Sequence, residues 1–175
     1  MTLSLRQPAH LDDLLNYRVL RLHALGGAPV IRLLEGRYGI ARREWRLIAL
    51  LAARGPLSPS ALAEAAQLDR PRTSRAAGVL LGKGLAQRTL VSGDGRRAVL
   101  ALTDAGRQLH AQVFPQIADL NARLVSVLDD ASLAVLEQAL AALTAQAQRL
   151  NGELAQDVRA DRRAGGSRRV RRQAP

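Results

Sequence analysis

The chain has 175 residues, 47% of them apolar but only 2% aromatic, which is enough for one domain whose core of Leu, Ala, Ile and Val favours packed helices over a β-sandwich. Twenty-six basic against 15 acidic residues leave a net charge of +11, which calls for a polyanionic partner, a nucleic acid or an anionic membrane surface. The absence of Cys excludes disulfides and thiolate chemistry, and no run approaches the ~18 apolar residues of a bilayer span.

Residues 1–10 contain no apolar stretch of the kind a signal peptide carries, so a cytoplasmic chain is expected. Leu11, Leu14, Leu15, Leu22 and Leu25 recur at helical spacing. Gly26-Gly27-Ala28-Pro29 interrupts the pattern, which resumes through Val30, Leu33 and Leu34 to Gly39. This reads as one bent helix or two consecutive ones. A helix over residues 42–54 follows, with Trp45, Ile48 and Leu51 inward and Gly55-Pro56 ending it.

Ser58 is a natural N-cap and Pro59 a natural first residue for a short helix with Leu62, Ala65 and Ala66 inward. After a tight turn at Gln67-Leu68-Asp69, a second helix opens with Asp69 or Arg70 as its cap. It runs through Ala77, Leu80 and Leu81 to Lys83, and Gly84 closes it. Two helices joined by so short a turn make a helix-turn-helix. The period then changes. Residues 85–91 and 97–102 read as strands around Ser92-Gly93-Asp94-Gly95-Arg96, a hairpin tip. A hairpin in that position is a wing.

Thr103 caps a long helix with Leu109, Val113, Ile117, Leu120, Leu124 and Val127 inward, bent at Pro115. Asp129-Asp130 starts the last helix, where Leu133, Leu136, Leu140, Leu143, Ala147 and Leu150 step by three and four, a heptad seam. Such a seam needs a partner surface, either within the chain or on a second copy. From residue 159 onward seven Arg stand against one Asp, a basic tail with too little apolar content to fold. Residues 1–158 keep +5 of the net charge, so the folded part is itself basic.

Five stretches in this order resemble the MarR family of bacterial regulators. They are Gly55-Pro-Leu-Ser-Pro-Ser-Ala-Leu-Ala-Glu64, Leu68-Asp-Arg-Pro-Arg-Thr-Ser-Arg75, Lys83-Gly-Leu85, Asp94-Gly-Arg-Arg97 and Leu102-Thr-Asp-Ala-Gly106. The resemblance covers about residues 11–150. It implies a mainly α fold with a small β-hairpin wing, a winged helix-turn-helix (residues 41–102) flanked by N- and C-terminal dimerisation helices (11–40 and 103–155). The tail, 159–175, lies outside it. It further implies a homodimer that grips a pseudo-palindromic double-stranded DNA site, with half-sites about one helical turn apart. Many members are repressors released by a small aromatic or carboxylate effector.

Arg70, Arg72, Thr73, Ser74 and Arg75 crowd the first turns of the second helix of the motif. Three Arg at a positive helix end are locally unfavourable. Placed in a major groove, Arg binds guanine O6 and N7, while Thr or Ser contacts a base or a phosphate. The alternative is a solvated face with one Arg paired to Asp69. By family analogy Ser58 and Ser60 bind phosphate, although capping alone accounts for Ser58. The resemblance also implies that Arg96 enters the minor groove beside Arg97 while Asp94 braces the hairpin. The tail arginines would add salt-sensitive, non-specific affinity. A protein dominated by that tail would be an architectural DNA binder, the alternative to a sequence-specific regulator.

Tyr17, His23 and Trp45 are the side chains suited to stack on or hydrogen-bond an aromatic effector, although Trp45 equally reads as core. His10, His23 and His110 lack metal-ligand spacing, and no catalytic constellation or phosphate-binding glycine loop is present. Neither a cofactor, a metal nor an enzymatic activity is expected, and no membrane partner.

Overall fold

A computed structural model describes residues 5–91 and 94–157. In chain order a 3₁₀ turn at Leu11–Asp13 leads into α1 (Leu15–Tyr38), α2 (Arg42–Arg54), α3 (Pro59–Ala65) and α4 (Arg70–Gly82). The hairpin β1 (Ala86–Val91) and β2 (Asp94–Leu102) comes next, then α5 (Asp104–Val125) and α6 (Asp130–Asp157). The described residues fall into two compact units, divided after Leu124.

The core of the first unit collects Leu34 from α1, Leu47 and Ile48 from α2, Leu62 from α3, Leu80 from α4 and Val113 from α5. Trp45, Ile48 and Leu51 face inward as their spacing predicts. In α3 the buried positions are Leu62 and Ala63, joined by Ala66 at its C-cap, with Ala65 only half-buried. The α3–α4 turn places Gln67 in the left-handed region at φ +53°, which lets two short helices meet without a longer loop.

Helix α1 runs unbroken through Gly26-Gly27-Ala28-Pro29, so of the two readings the single helix is the one realised. The glycines serve close approach. A Cβ on Gly26 would lie 3.1 Å from Leu124 Cδ2 of α5, and one on Gly27 would lie 2.8 Å from the Arg42 guanidinium. Packing against those groups outweighs the weak helix propensity of the stretch.

The wing is an antiparallel pair in which Ala86 faces Leu102 and Arg88 faces Leu100. Strand β2 begins at Asp94, three residues earlier than its residue pattern indicates. Leu57 adds a bridge to Leu100 through two backbone hydrogen bonds of 3.0 and 2.8 Å, which ties the α2–α3 loop to the wing. At the wing's base the Thr103 hydroxyl donates to the Gly84 carbonyl at 2.7 Å and accepts from Gly106 N–H, which starts α5.

Helix α5 stops at Val125, so Val127, expected inward on that helix, lies beyond its end and is 84% exposed. The helix cannot continue because Leu128 N–H turns back to the Val125 carbonyl and Asp129 caps the next helix, its Oδ1 accepting from Ser132 N–H at 2.8 Å. In the second unit α6 carries the heptad seam. In the single chain Leu136, Leu140, Leu143 and Leu150 are 40–49% exposed, and Leu133 is half-buried. No helix among the described residues is long and apolar enough to cross a membrane.

Candidate nucleic-acid interface

Asp69 is the N-cap of α4, its Oδ1 accepting from Arg72 N–H at 2.8 Å, and this fixes where the helix begins. Pro71 in the first turn has no N–H to leave unsatisfied. Ala76 and Leu80 bury one face of the helix and anchor it in the core. Of the five residues expected to meet DNA, Arg70, Arg72, Ser74 and Arg75 are exposed. Thr73 departs from that expectation. It is only 3% exposed, and its hydroxyl donates to the Asp69 carbonyl at 3.0 Å, so it braces the first turn from inside. Three residues before Ala76 and seven before Leu80, it belongs to the anchoring face.

The exposed residues divide between two sides of α4. On one side Arg70, Ser74 and Ala77, with the largely buried Thr73, line a cleft of about 390 Å³ with Pro59, Ser60 and Leu62 of α3 and Arg88 and Leu100 of the wing. On the other, Arg72, Arg75 and Val79 line a notch of about 190 Å³ with Ala41, Arg43 and Glu44 at the start of α2. Arg72 Nε pairs with Asp69 Oδ2 at 3.3 Å, and Arg75 Nε donates to the Pro71 carbonyl at 3.3 Å, so both heads are held along the helix. Among the described residues Arg70 has no such partner.

Ser58 Oγ accepts from Ala61 N–H at 3.2 Å, the capping role its position allows, and lies 3.1 Å from Ser60 Oγ. Ser60 is exposed at the cleft. The backbone of Asp94, Arg96 and Arg97 forms the start of β2, but their side chains, with the expected minor-groove contact, lie outside the described residues. So does the tail from residue 159.

Two arginines of this surface escape a reading of the sequence by motif. Arg88 follows Ala86 by two in β1 and faces Leu100 across the hairpin, so the strand period aims it at the helices. Arg43 sits in the first turn of α2, and only the fold brings it beside Arg72 and Arg75.

The three residues named for an aromatic effector lie on two helices, Tyr17 and His23 on α1 and Trp45 on α2. Trp45 is buried and stacks on His110 of α5 with ring centroids 5.4 Å apart, and His110 stacks in turn on Phe114 at 5.3 Å. Phe114 is about half exposed, so the ladder runs from core to surface. Tyr17 is half-buried and His23 exposed, both on α1.

The architecture recurs in solved structures. A MarR family transcriptional regulator from Silicibacter pomeroyi DSS matches with a TM-score of 0.69 at 26% identity, over 84% of this chain and 94% of that one. NadR in complex with 4-hydroxyphenylacetate matches with a TM-score of 0.65 at 27% identity, over 78% and 95%. Among curated proteins, the HTH-type transcriptional regulator FarR of Neisseria gonorrhoeae is 31% identical over 112 residues, 64% of this chain and 77% of FarR. The MarR family model matches residues 38–97, from the end of α1 through the wing. A capped, arginine-lined α4 beside a two-stranded wing, together with these likenesses, identifies the chain as a member of the MarR family of DNA-binding transcriptional regulators.

Proposed function

We propose that the protein binds a pseudo-palindromic operator as a homodimer and represses a nearby operon until a small aromatic or carboxylate effector releases it. The observation that carries the DNA reading is the presentation of Arg70, Arg72, Ser74 and Arg75 around a helix whose opposite face is anchored by Thr73, Ala76 and Leu80. In this reading α4 enters the major groove, where Arg70 and Ser74 reach base edges on the wing side. Arg72 and Arg75, with Arg43, hold phosphates on the other side, and Ser60 and Arg88 hold phosphates by the wing. Arg96 completes the footprint in the minor groove, with Arg97 on the wing beside it and Asp94 bracing the hairpin.

The homodimer is supported by the exposed heptad seam of α6 and by Leu11, Leu14, Leu20 and Leu22 exposed on the N-terminal segment and α1. The effector reading is supported by NadR, solved with 4-hydroxyphenylacetate, and by the Trp45–His110–Phe114 ladder, which offers an aromatic ring a stacking surface. Tyr17 and His23 would then serve as outlying contacts. Trp45 is the chain's single tryptophan, so its fluorescence reports directly on that ladder. Titration with 4-hydroxyphenylacetate should quench it and weaken DNA binding together. Quenching without loss of DNA affinity would separate binding from regulation.

Selection of bound sequences from a random DNA pool, with the full chain and with residues 1–158 at about 150 mM salt, tests the core of the proposal. A two-fold-symmetric motif recovered with both establishes a sequence-specific dimer. DNA retained without a motif, and only with the full chain, would instead make it an architectural binder driven by its tail.

A further inference from the structure

Lys83 is the chain's single lysine among 26 basic residues, and it is the C-cap of α4. Its ammonium donates to the Gly39 carbonyl at 2.8 Å and to Glu44 Oε2 at 2.8 Å. Gly39 is the left-handed C-cap of α1 at φ +61°. Glu44 lies in the first turn of α2, is largely buried, and accepts from Ala41 N–H at 3.2 Å through the same oxygen. One ammonium therefore fastens the end of α4, the end of α1 and the start of α2.

The chemistry suits a lysine. The charge sits at the negative end of α1, on the carbonyl of its C-cap. A compact cation with three rotatable donors serves two acceptors on different elements, whereas the planar fork of Arg prefers a single carboxylate. Yet the clamp is a poor source of stability. The Lys83 side chain is 37% exposed, and ion pairs that reach solvent contribute little. The core already holds these helices through Leu34, Leu47 and Leu80, each fully buried. What the clamp adds is a fixed angle between α1 and α4.

We infer that Lys83, acting with Glu44, is a positioning residue for DNA recognition, holding the groove-reading helix at one orientation to α1. The inference rests on the proposed dimer, in which α1 belongs to the subunit interface and α4 to the DNA. One added base pair moves a half-site by about 3.4 Å and turns it by about 35°. A dimer selects one spacing only if each α4 is held more tightly than that against its interface helix. Loosening the clamp should cost spacing selectivity first and local groove contacts hardly at all.

The test uses the full chain, the wild-type motif recovered by DNA selection, and four duplexes. These carry the selected spacing, one base pair less, one more, and a single half-site. The preference of wild type for its own spacing should fall by roughly 2- to 30-fold in both Lys83→Met and Glu44→Gln, the range by which residues outside a binding surface modulate coupling. Each variant also alters one charge beside the notch that Glu44 lines with Arg43, Arg72 and Arg75, which scales affinity for all four duplexes together, so the ratio between spacings is the readout. A merely structural role would change all four duplexes alike with the spacing preference intact, and that result overturns the inference. Should circular dichroism show Lys83→Met unfolded, Glu44→Gln decides, because it leaves the bond from Lys83 to Gly39 in place. A wild-type chain that selects no two-fold motif removes the parent reading and the inference with it, whereas a wild-type motif with unaltered variants removes the inference alone.

Discussion

Single residues of the winged region divide into those that build the surface and those that use it. Gly106 builds it, since a Cβ there would lie 2.0 Å from the Leu85 carbonyl oxygen and 3.1 Å from its carbon. That obstacle is backbone at the base of the wing, so it cannot swing aside as a side chain would. Gly106→Ala should destabilise the protein by about 3 kcal/mol, at the upper end for overpacked sites, read as a shift of the urea midpoint. A change under about 0.5 kcal/mol, the range of ordinary surface substitutions, would show that the α5 start moves freely. Arg70 and Arg88 share one cleft but differ in proposed use. Arg70→Ala should cost about 1–3 kcal/mol on the selected site and relax preference at one base position. Arg88→Ala should weaken all sequences alike and lower the salt slope by about one. Binding titrations over a salt series distinguish them, and a uniform loss with Arg70→Ala would reassign it to phosphate.

At the scale of elements, local chemistry sets the helix starts and long-range packing sets the rest. Asp129 shows the first case. The Ser132 hydroxyl and then the Ser132 backbone N–H donate to its carboxylate and hold its pKa below the ordinary 3.8. A carboxyl whose pKa is lower folded than unfolded stabilises the fold above the unfolded value, and loses that contribution as pH falls through the folded one. The melting difference between wild type and Asp129→Ala should therefore be constant near neutrality and shrink as pH drops below about 4. A difference that persists at pH 2 would mean that the cap acts through something other than its charge. Ser58 was legible as a cap for the same reason, and Asp69 as one of two candidates with Arg70, because a cap depends on a side chain and an N–H three residues away. The α3–α4 pair and the wing followed from such signals and from punctuation by Gly and Pro. The unbroken course of α1 did not, since its Gly-Gly-Ala-Pro stretch is a break by propensity and a packing site only once Leu124 and Arg42 are in place. Likewise the Leu57–Leu100 bridge and the Lys83 clamp join residues about 40 apart, and no local pattern encodes them. Thr73 differs from its neighbours: its place in an arginine-rich turn suggests contact with DNA, while the helical period sets it beside Ala76 and Leu80, largely buried in the lining of the cleft it shares with Arg70 and Ser74.

On the scale of the whole molecule, the open question is what covers the apolar surface left on α6. The seam positions Leu136, Leu140, Leu143, Ala147 and Leu150 step by three or four residues on a helix of 28, a pattern that persists in water when a second seam meets it. In the proposed dimer that second seam belongs to another copy of the chain, and dimerisation also does work for recognition. Once one α4 occupies its half-site, the linked α4 finds the other at a high effective concentration, a gain of roughly 10² to 10⁴ over two separate subunits. Leu140→Glu with Leu143→Glu puts two charges into the seam while keeping good helix formers. The mass measured by light scattering should then fall from twice the 18.8 kDa chain mass to once. Affinity for the two-fold site should drop by about 10²-fold or more, and affinity for a single half-site should stay as it was, because Arg70 and its neighbours are untouched. A monomeric wild-type protein would overturn the dimer. A variant that keeps both its mass and its affinity would move the interface off α6 and onto the leucines of α1, where Leu20→Glu with Leu22→Glu would be the corresponding substitution.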